Sequence, residues 1–193
     1  MKIEKIIVVI FAIISAFPHQ AGAQTAPAVV SRTGMKKGVD LSTDVVAVAL
    51  PAAALVGTLC AQDWKGLIQG VETAAVTAAA TLILKYSINE WRPDMSNCHS
   101  FPSGHTAVSF GSAAYLQRRY GWAYGAPAYA LSCYVAWGRV FAKKHHFWDV
   151  IGGAVIGTAS AYIFTTPFAR RHNLQVSPVS HGNDIGVYAS FEF

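Results

Sequence analysis

The sequence predicts an all-α protein: a membrane-embedded helical bundle of five spans, preceded by an N-terminal signal or anchor segment. Three observations predict it. The 193 residues are 53% hydrophobic and only 13% charged. The apolar residues fall in five runs of about helix length, separated by short polar segments. Those runs are rich in Gly, Ala, Ser and Thr, the small residues that let helices approach closely within a bilayer. The interior of a soluble helical bundle has a similar composition, so the choice of membrane also draws on where the charges fall. A chain of this length holds one domain. Its formal net charge of +5 is scattered in pairs (Lys36 and Lys37, Arg118 and Arg119, Lys143 and Lys144, Arg170 and Arg171) and forms no stripe, which argues against nucleic acid as a partner.

Residues 1–23 have the parts of a secretory signal: Lys2 and Lys5, the apolar run Ile6–Phe17, and Ala21-Gly22-Ala23 before Gln24. An uncleaved anchoring helix is the alternative, although the apolar core is short for a full span. Either version places the next segment outside the cytoplasm. Residues 24–40 read as a polar linker, 41–171 as the helical domain and 172–193 as a polar tail.

The first span is expected over Val45–Ala61, with Ser42 or Asp44 available as its cap. The second runs from about Gly66 to Asn89, interrupted only by Glu72 and Lys85. Trp91-Arg92-Pro93 ends it, because proline disfavours helix at the preceding residue. A loop from Asp94 to Pro102 leads to a third helix, Ser103 to Gln117, closed by Arg118, Arg119 and Gly121. A fourth uncharged run covers Tyr120–Gly138. After the polar segment Arg139–Trp148, a fifth helix extends from Asp149 to about Ala169 and ends at Arg170 and Arg171.

With the N-terminal end exported, five spans place Arg118, Arg119, Arg170 and Arg171 on the cytoplasmic side, as the positive-inside tendency requires. Lys143 and Lys144 fall on the other side. In the tail, Val187–Phe193 alternates like a short strand. Cys60, Cys98 and Cys133 are odd in number and imply no disulfide framework, and no CxxC pair or His-rich tract suggests a structural zinc site.

Alternating spans bring two polar junctions to one side. Lys85, Arg92, Ser103, Gly104 and His105 belong to the first; Arg139, His145 and Asp149 belong to the second. Three permanent cations, two histidines and one carboxylate around a helix N-terminus suit a phosphate monoester, whose oxygens are matched by Lys, by the fork of Arg and by backbone amides. Phosphoryl transfer then needs a nucleophile in line and a proton for the leaving group, tasks that two histidines can divide. The spacing His145-x-x-x-Asp149 lets the carboxylate fix one ring nitrogen and leave the other free to attack.

The motifs Lys85-x6-Arg92-Pro93, Pro102-Ser103-Gly104-His105 and Arg139-x5-His145-x3-Asp149 stand in an order and spacing that resembles the type 2 phosphatidic acid phosphatase and vanadium haloperoxidase superfamily, in its membrane-bound bacterial lipid phosphatase branch. The resemblance implies that Lys85, Arg92, Ser103, the Gly104 amide and Arg139 bind phosphate. It implies that His145 is the nucleophile and forms a phosphohistidine, that His105 protonates the leaving alcohol and later activates water, and that Asp149 orients His145. Gly138 departs from the serine usual before the arginine and removes one hydroxyl. His146 lacks the matching spacing and reads as a wall residue, and the loop histidine His99 reads as solvated.

The implied activity is hydrolysis of a lipid phosphate monoester or diphosphate at the periplasmic face of a bacterial inner membrane. No cofactor and no metal are implied, the three cations standing where a metal would. Phosphatidate, phosphatidylglycerol phosphate, undecaprenyl diphosphate and lipid A are candidate substrates. A soluble periplasmic acid phosphatase of the same superfamily and a non-catalytic membrane subunit for lipid binding or transport are the competing readings.

Overall fold

The computed structural model describes residues 34–168 together with the strand residues 174–181 and 184–191. The expected signal or anchor, residues 24–33 of the expected linker and the pair Arg170-Arg171 lie outside the described residues. Five helices follow one another: α1 (Gly34–Cys60), α2 (Trp64–Ser87), α3 (Gly104–Tyr120), α4 (Trp122–Phe141) and α5 (Phe147–Phe164). The expected all-α class describes residues 34–168. The tail adds a hairpin, β1 (Leu174–His181) and β2 (Asp184–Phe191), paired antiparallel from Leu174 opposite Phe191 to His181 opposite Asp184.

Local chemistry sets most helix ends. Asp63 caps α2, its Oδ1 accepting from the Gly66 N–H at 2.9 Å. Ser103 is the N-cap of α3, and Gly121, at φ +93°, ends it in the backbone region that glycine enters freely. Two ends differ from expectation. α1 begins at Gly34 rather than Val45, so Ser42 and Asp44 are interior helical residues and not caps. α5 stops at Phe164, since Pro167 cannot continue a helix and the Thr166 N–H is held by Gln69 Oε1 at 3.1 Å.

The helices α1, α2 and α5 are long and apolar enough to cross a membrane. α3, at 17 residues, and α4, rich in Tyr, Trp, Gly and Pro, do not reach that length and hydropathy together. The distribution of side chains is inverted relative to a soluble bundle. Large apolar residues such as Val45, Val48, Val56, Ile68 and Ile83 are exposed, while Thr43, Thr58, Thr77, Ser109 and Ser132 are buried. A hydrocarbon surround rewards this arrangement, because the outer face gains nothing by hiding Val and Ile. Some of the buried hydroxyls are satisfied locally: Thr58, Ser132 and Ser160 each donate to the carbonyl four residues back, at 2.8–2.9 Å, whereas Thr77 Oγ1 and Ser109 Oγ have no hydrogen-bond partner among the described residues.

α3 lies at the centre and touches the other four helices. It approaches α5 backbone to backbone: a Cβ on Gly153 would stand 2.5 Å from the Ser103 carbonyl oxygen, and one on Gly157 would collide with the Ala107 carbonyl. At the end of the bundle away from the polar junctions, Arg119 is buried and forks onto Asp63 through Nε and Nη2, at 2.6 and 2.5 Å, while Nη1 reaches the Thr166 carbonyl. Arg119 is therefore a structural cation, and Arg118 is the freer member of that pair. The Arg119 guanidinium, the Gly66 amide and the Tyr120 hydroxyl outweigh burial and hold the Asp63 carboxyl below the usual range.

Candidate active site

Two polypeptide junctions converge at the other end. The turn after α2 and the start of α3 form one; the α4–α5 connection forms the other. Three bonds or shared charges join them. The Ser103 N–H donates to the Asp149 carbonyl at 2.9 Å. Ser100 Oγ donates to Asp149 Oδ2 at 2.5 Å. The Arg92 guanidinium acts electrostatically on both His145 and His105. Every residue expected at the site from the sequence is thus on one face of the bundle.

His145 is buried, 2% exposed, and its Nδ1 stands 3.4 Å from Asp149 Oδ2. That is ion-pair range and not a hydrogen bond: His145 Nδ1 has no hydrogen-bond partner among the described residues, nor has the other Asp149 oxygen, Oδ1. Asp149, fully buried, also takes the His146 N–H on Oδ2 at 2.8 Å. Burial pushes the His145 imidazole down to about 4; the Asp149 carboxylate opposes this and the Arg92 and Lys85 charges add to it. The ring is therefore neutral, and nucleophilic, at neutral pH.

Lys85 Nζ donates to the His99 and Pro102 carbonyls, at 2.9 and 3.0 Å. It ties down the loop that ends in Ser103 and has one further N–H to offer. Ser103 is fully buried and its Oγ accepts from Thr106 Oγ1 at 3.0 Å, which leaves the hydroxyl proton for a ligand. Gly104 opens α3, and a Cβ there would meet only Thr81 Cγ2, at 3.8 Å, so a ligand can approach the backbone closely at the start of the helix. His105 Nε2 lies 3.1 Å from Asp44 Oδ1. Arg139, 4% exposed, donates from Nη1 to Asp44 Oδ1 at 2.5 Å and is ion-paired through the same nitrogen with Asp40 Oδ1 at 2.8 Å.

Four polar residues of the site were not among the expected ones: Asp40, Asp44, Ser100 and Glu90. Glu90 faces Asp149, and burial together with that carboxylate pushes it up to about 7. His146 Nδ1 is 3.3 Å from Glu90 Oε1, making it more than a wall residue. Glu90, His146 and Asp149 bring one ligand atom each within 4.8 Å of one another. Asp149 Oδ2 already accepts from Ser100 and His146, so this group reads as a hydrogen-bond network around Asp149 and not as a cation site. His99, expected in solvent, stacks edge-on against Tyr86 at 5.1 Å.

A family model described as the PAP2 superfamily matches residues 66–172. The chain belongs to the PAP2 superfamily. It is 32% identical over 118 residues to a lipid A 4'-phosphatase of Helicobacter pylori, covering 58% of this chain and 54% of that protein. It is 35% identical over 77 residues to a lipid A 1-phosphatase of Porphyromonas gingivalis, covering 38% of this chain and 17% of that protein. The chain thus spans about half the length of the first relative and less than a fifth of the second. Its fold is similar to the crystal structure of a transmembrane PAP2 type phosphatidylglycerolphosphate phosphatase from Bacillus subtilis, with a TM-score of 0.56 at 20% identity over 82% of this chain and 92% of that one.

Gly138, where the resemblance leads one to expect serine, has no room for a side chain. A Cβ on Gly138 would collide with Thr43 Cγ2 and stand 3.1 Å from Val39 Cγ1. Glycine lets α1 lie directly on α4 at the residue before Arg139.

Proposed function

We propose that this PAP2 protein is a membrane lipid phosphatase that hydrolyses a phosphate monoester or diphosphate through a phosphohistidine on His145, with its site at the periplasmic face. The convergence of Ser103 on Asp149 carries the reading, because it sets the α3 N-terminus beside the nucleophile. In the first step His145 Nε2 forms a bond to phosphorus, the P–O bond to the alcohol breaks, and His105 gives the alcohol its proton. In the second, water attacks phosphorus, His105 takes a proton from that water, and the P–N bond breaks to release inorganic phosphate. Lys85, Arg92, Arg139, Ser103 and the Gly104 amide balance the charge on the equatorial oxygens, so the proposed reaction requires no metal.

A lipid substrate is favoured by an apolar cavity of about 270 Å³ between α1, α2 and α3, lined by Leu55, Ala74, Thr77, Val108 and Gly111 among others. Thr77 is one helical turn from Thr81, which lies beside Gly104, so the cavity begins about a turn from the start of α3, where the phosphate would be held. All five helices crossing the bilayer, α3 and α4 included, would place both junctions on one side. The two lipid A phosphatases among the matched proteins make a phosphorylated glycolipid the first candidate.

The test is phosphate release from a panel of lipid phosphates by detergent-purified wild type and His145→Ala. We expect release by wild type alone, insensitive to chelator, and an acid-labile phosphoryl adduct that His145→Ala does not form. Equal release by both proteins would refute the assignment.

A further inference from the structure

We propose that Asp44 is the resident anion of the phosphate cradle: in the substrate-free protein its carboxylate stands between Arg139 and His105, the phosphoryl group enters by displacing it, and its return expels inorganic phosphate. This rests on reading the cradle as a phosphate site.

The geometry is that of a substitute ligand. One oxygen, Asp44 Oδ1, lies 2.5 Å from Arg139 Nη1 and 3.1 Å from His105 Nε2. These are the two groups that a phosphate oxygen and a leaving alcohol would engage. The two partners differ in exposure. Arg139 is 4% exposed and Asp44 is 45% exposed, so the carboxylate covers a buried cation from the open side and can swing into solvent without becoming a buried, unpaired charge. Asp40 cannot do the same: at 16% exposure it is held between Arg139 Nη1 at 2.8 Å and Lys144 Nζ at 3.8 Å. After exchange, Arg139 therefore keeps one carboxylate and gains the phosphate.

The sequence has made room for this contact. Asp44 reaches Arg139 because Thr43, fully buried, packs where Gly138 has no side chain. The exchange also answers a problem the cradle creates. Lys85, Arg92 and Arg139 together would retain inorganic phosphate after hydrolysis, since charge-assisted bonds to phosphate are strong. A tethered carboxylate competing for the same guanidinium lowers apparent phosphate affinity by the fraction of time it occupies the site.

The experiment measures inorganic phosphate and vanadate as inhibitors of turnover, and inorganic phosphate binding by calorimetry, for wild type, Asp44→Asn and Asp44→Ala in detergent. Occupancy of the cradle by Asp44 for nine-tenths of the time gives about tenfold tighter phosphate binding in both variants, with KM falling and kcat falling as product release slows. Unchanged phosphate affinity overturns the proposal. So does weaker affinity, which would make Asp44 a support for Arg139 instead. Calorimetry needs no turnover, so a wild type that binds phosphate but hydrolyses no lipid phosphate, with tightening in the variants, keeps this inference while refuting the enzymatic one. Active wild type with unchanged affinity in the variants does the reverse.

Discussion

Gly153→Ala tests whether the α3–α5 contact sets the catalytic geometry. The added Cβ would stand 2.5 Å from the Ser103 carbonyl oxygen and 3.1 Å from the Ala107 nitrogen. Both are backbone atoms, so no rotamer change relieves the clash, and the helices must part by about an ångström to reach ordinary contact. The bond from the Ser103 N–H to the Asp149 carbonyl, 2.9 Å long, lies one turn away and would stretch beyond hydrogen-bonding range. His145 and His105, which it holds in register, then shift relative to one another, and misplacement on that scale costs about 10²-fold in rate. Overpacking of this kind also costs about 1–3 kcal/mol, or a few degrees of thermal midpoint. The assay is kcat on a water-soluble phosphate monoester well below the midpoint, with Gly57→Ala as control, because nothing lies within 4 Å of a Cβ there. A Gly153→Ala protein with kcat within threefold of wild type would refute the reasoning.

Further outcomes are expected. The His145 imidazole, held down to about 4 chiefly by burial, places the acid limb of kcat/KM below pH 5; a limb near 6.5 would mean a solvated nucleophile. The same shift acts on stability: the unfolded chain takes up this proton near 6.5 and the folded one only near 4. Stability therefore falls as pH drops through that window, by about 3 kcal/mol at most. Glu90, pushed up to about 7, opposes this by binding its proton more tightly when folded, so Glu90→Gln steepens the loss in acid-titrated thermal melts, and an unchanged slope contradicts it. Arg119→Met strands the buried Asp63 carboxylate and costs about 3–5 kcal/mol, measured as a lower thermal midpoint and largely recovered in the double variant with Asp63→Asn; a cost below about 1 kcal/mol would mean the pair is solvated. His105→Ala loses about 10²–10⁴-fold in turnover, least for good leaving groups, and equal losses across leaving groups would deny it the role of acid.

The sequence made the helices legible wherever hydrophobicity or a breaker decided them. Pro93, Gly121 and the uncharged run after Tyr120 put the boundaries of α2, α3 and α4 within a few residues of those observed. The first eleven residues of α1 had no such signal. Residues 34–44 are held by tertiary ion pairs from Asp40 and Asp44 to Arg139, and no local pattern announces a partner 95 residues away. The only hint was two carboxylates at helical i, i+4 spacing in a chain with 10 acidic residues. The cations and histidines of the candidate site were legible because their motif spacing resembles that of a known superfamily. Ser100 and Glu90 were not, since each serves Asp149 from a loop whose path no periodicity describes. The hairpin was half legible: β2 alternates, while Pro178 in β1 obscures its pattern.

Gly138 ties the packing to the chemistry. Where the superfamily usually has serine, a side chain here would strike Thr43 Cγ2 and crowd Val39, both on the face of α1 that carries Asp40 and Asp44. Gly138→Ser should therefore lever α1 away from α4 and lift Asp44 from Arg139, tightening inorganic phosphate inhibition as Asp44→Asn does. Adding Thr43→Ala removes the Cγ2 that blocks the serine and should let α1 return, restoring the wild-type inhibition constant. Tightening by the single change and its reversal by the double would trace the carboxylate's position to one missing Cβ. Wild-type inhibition in Gly138→Ser would show that α1 tolerates the side chain and that the glycine does not place Asp44.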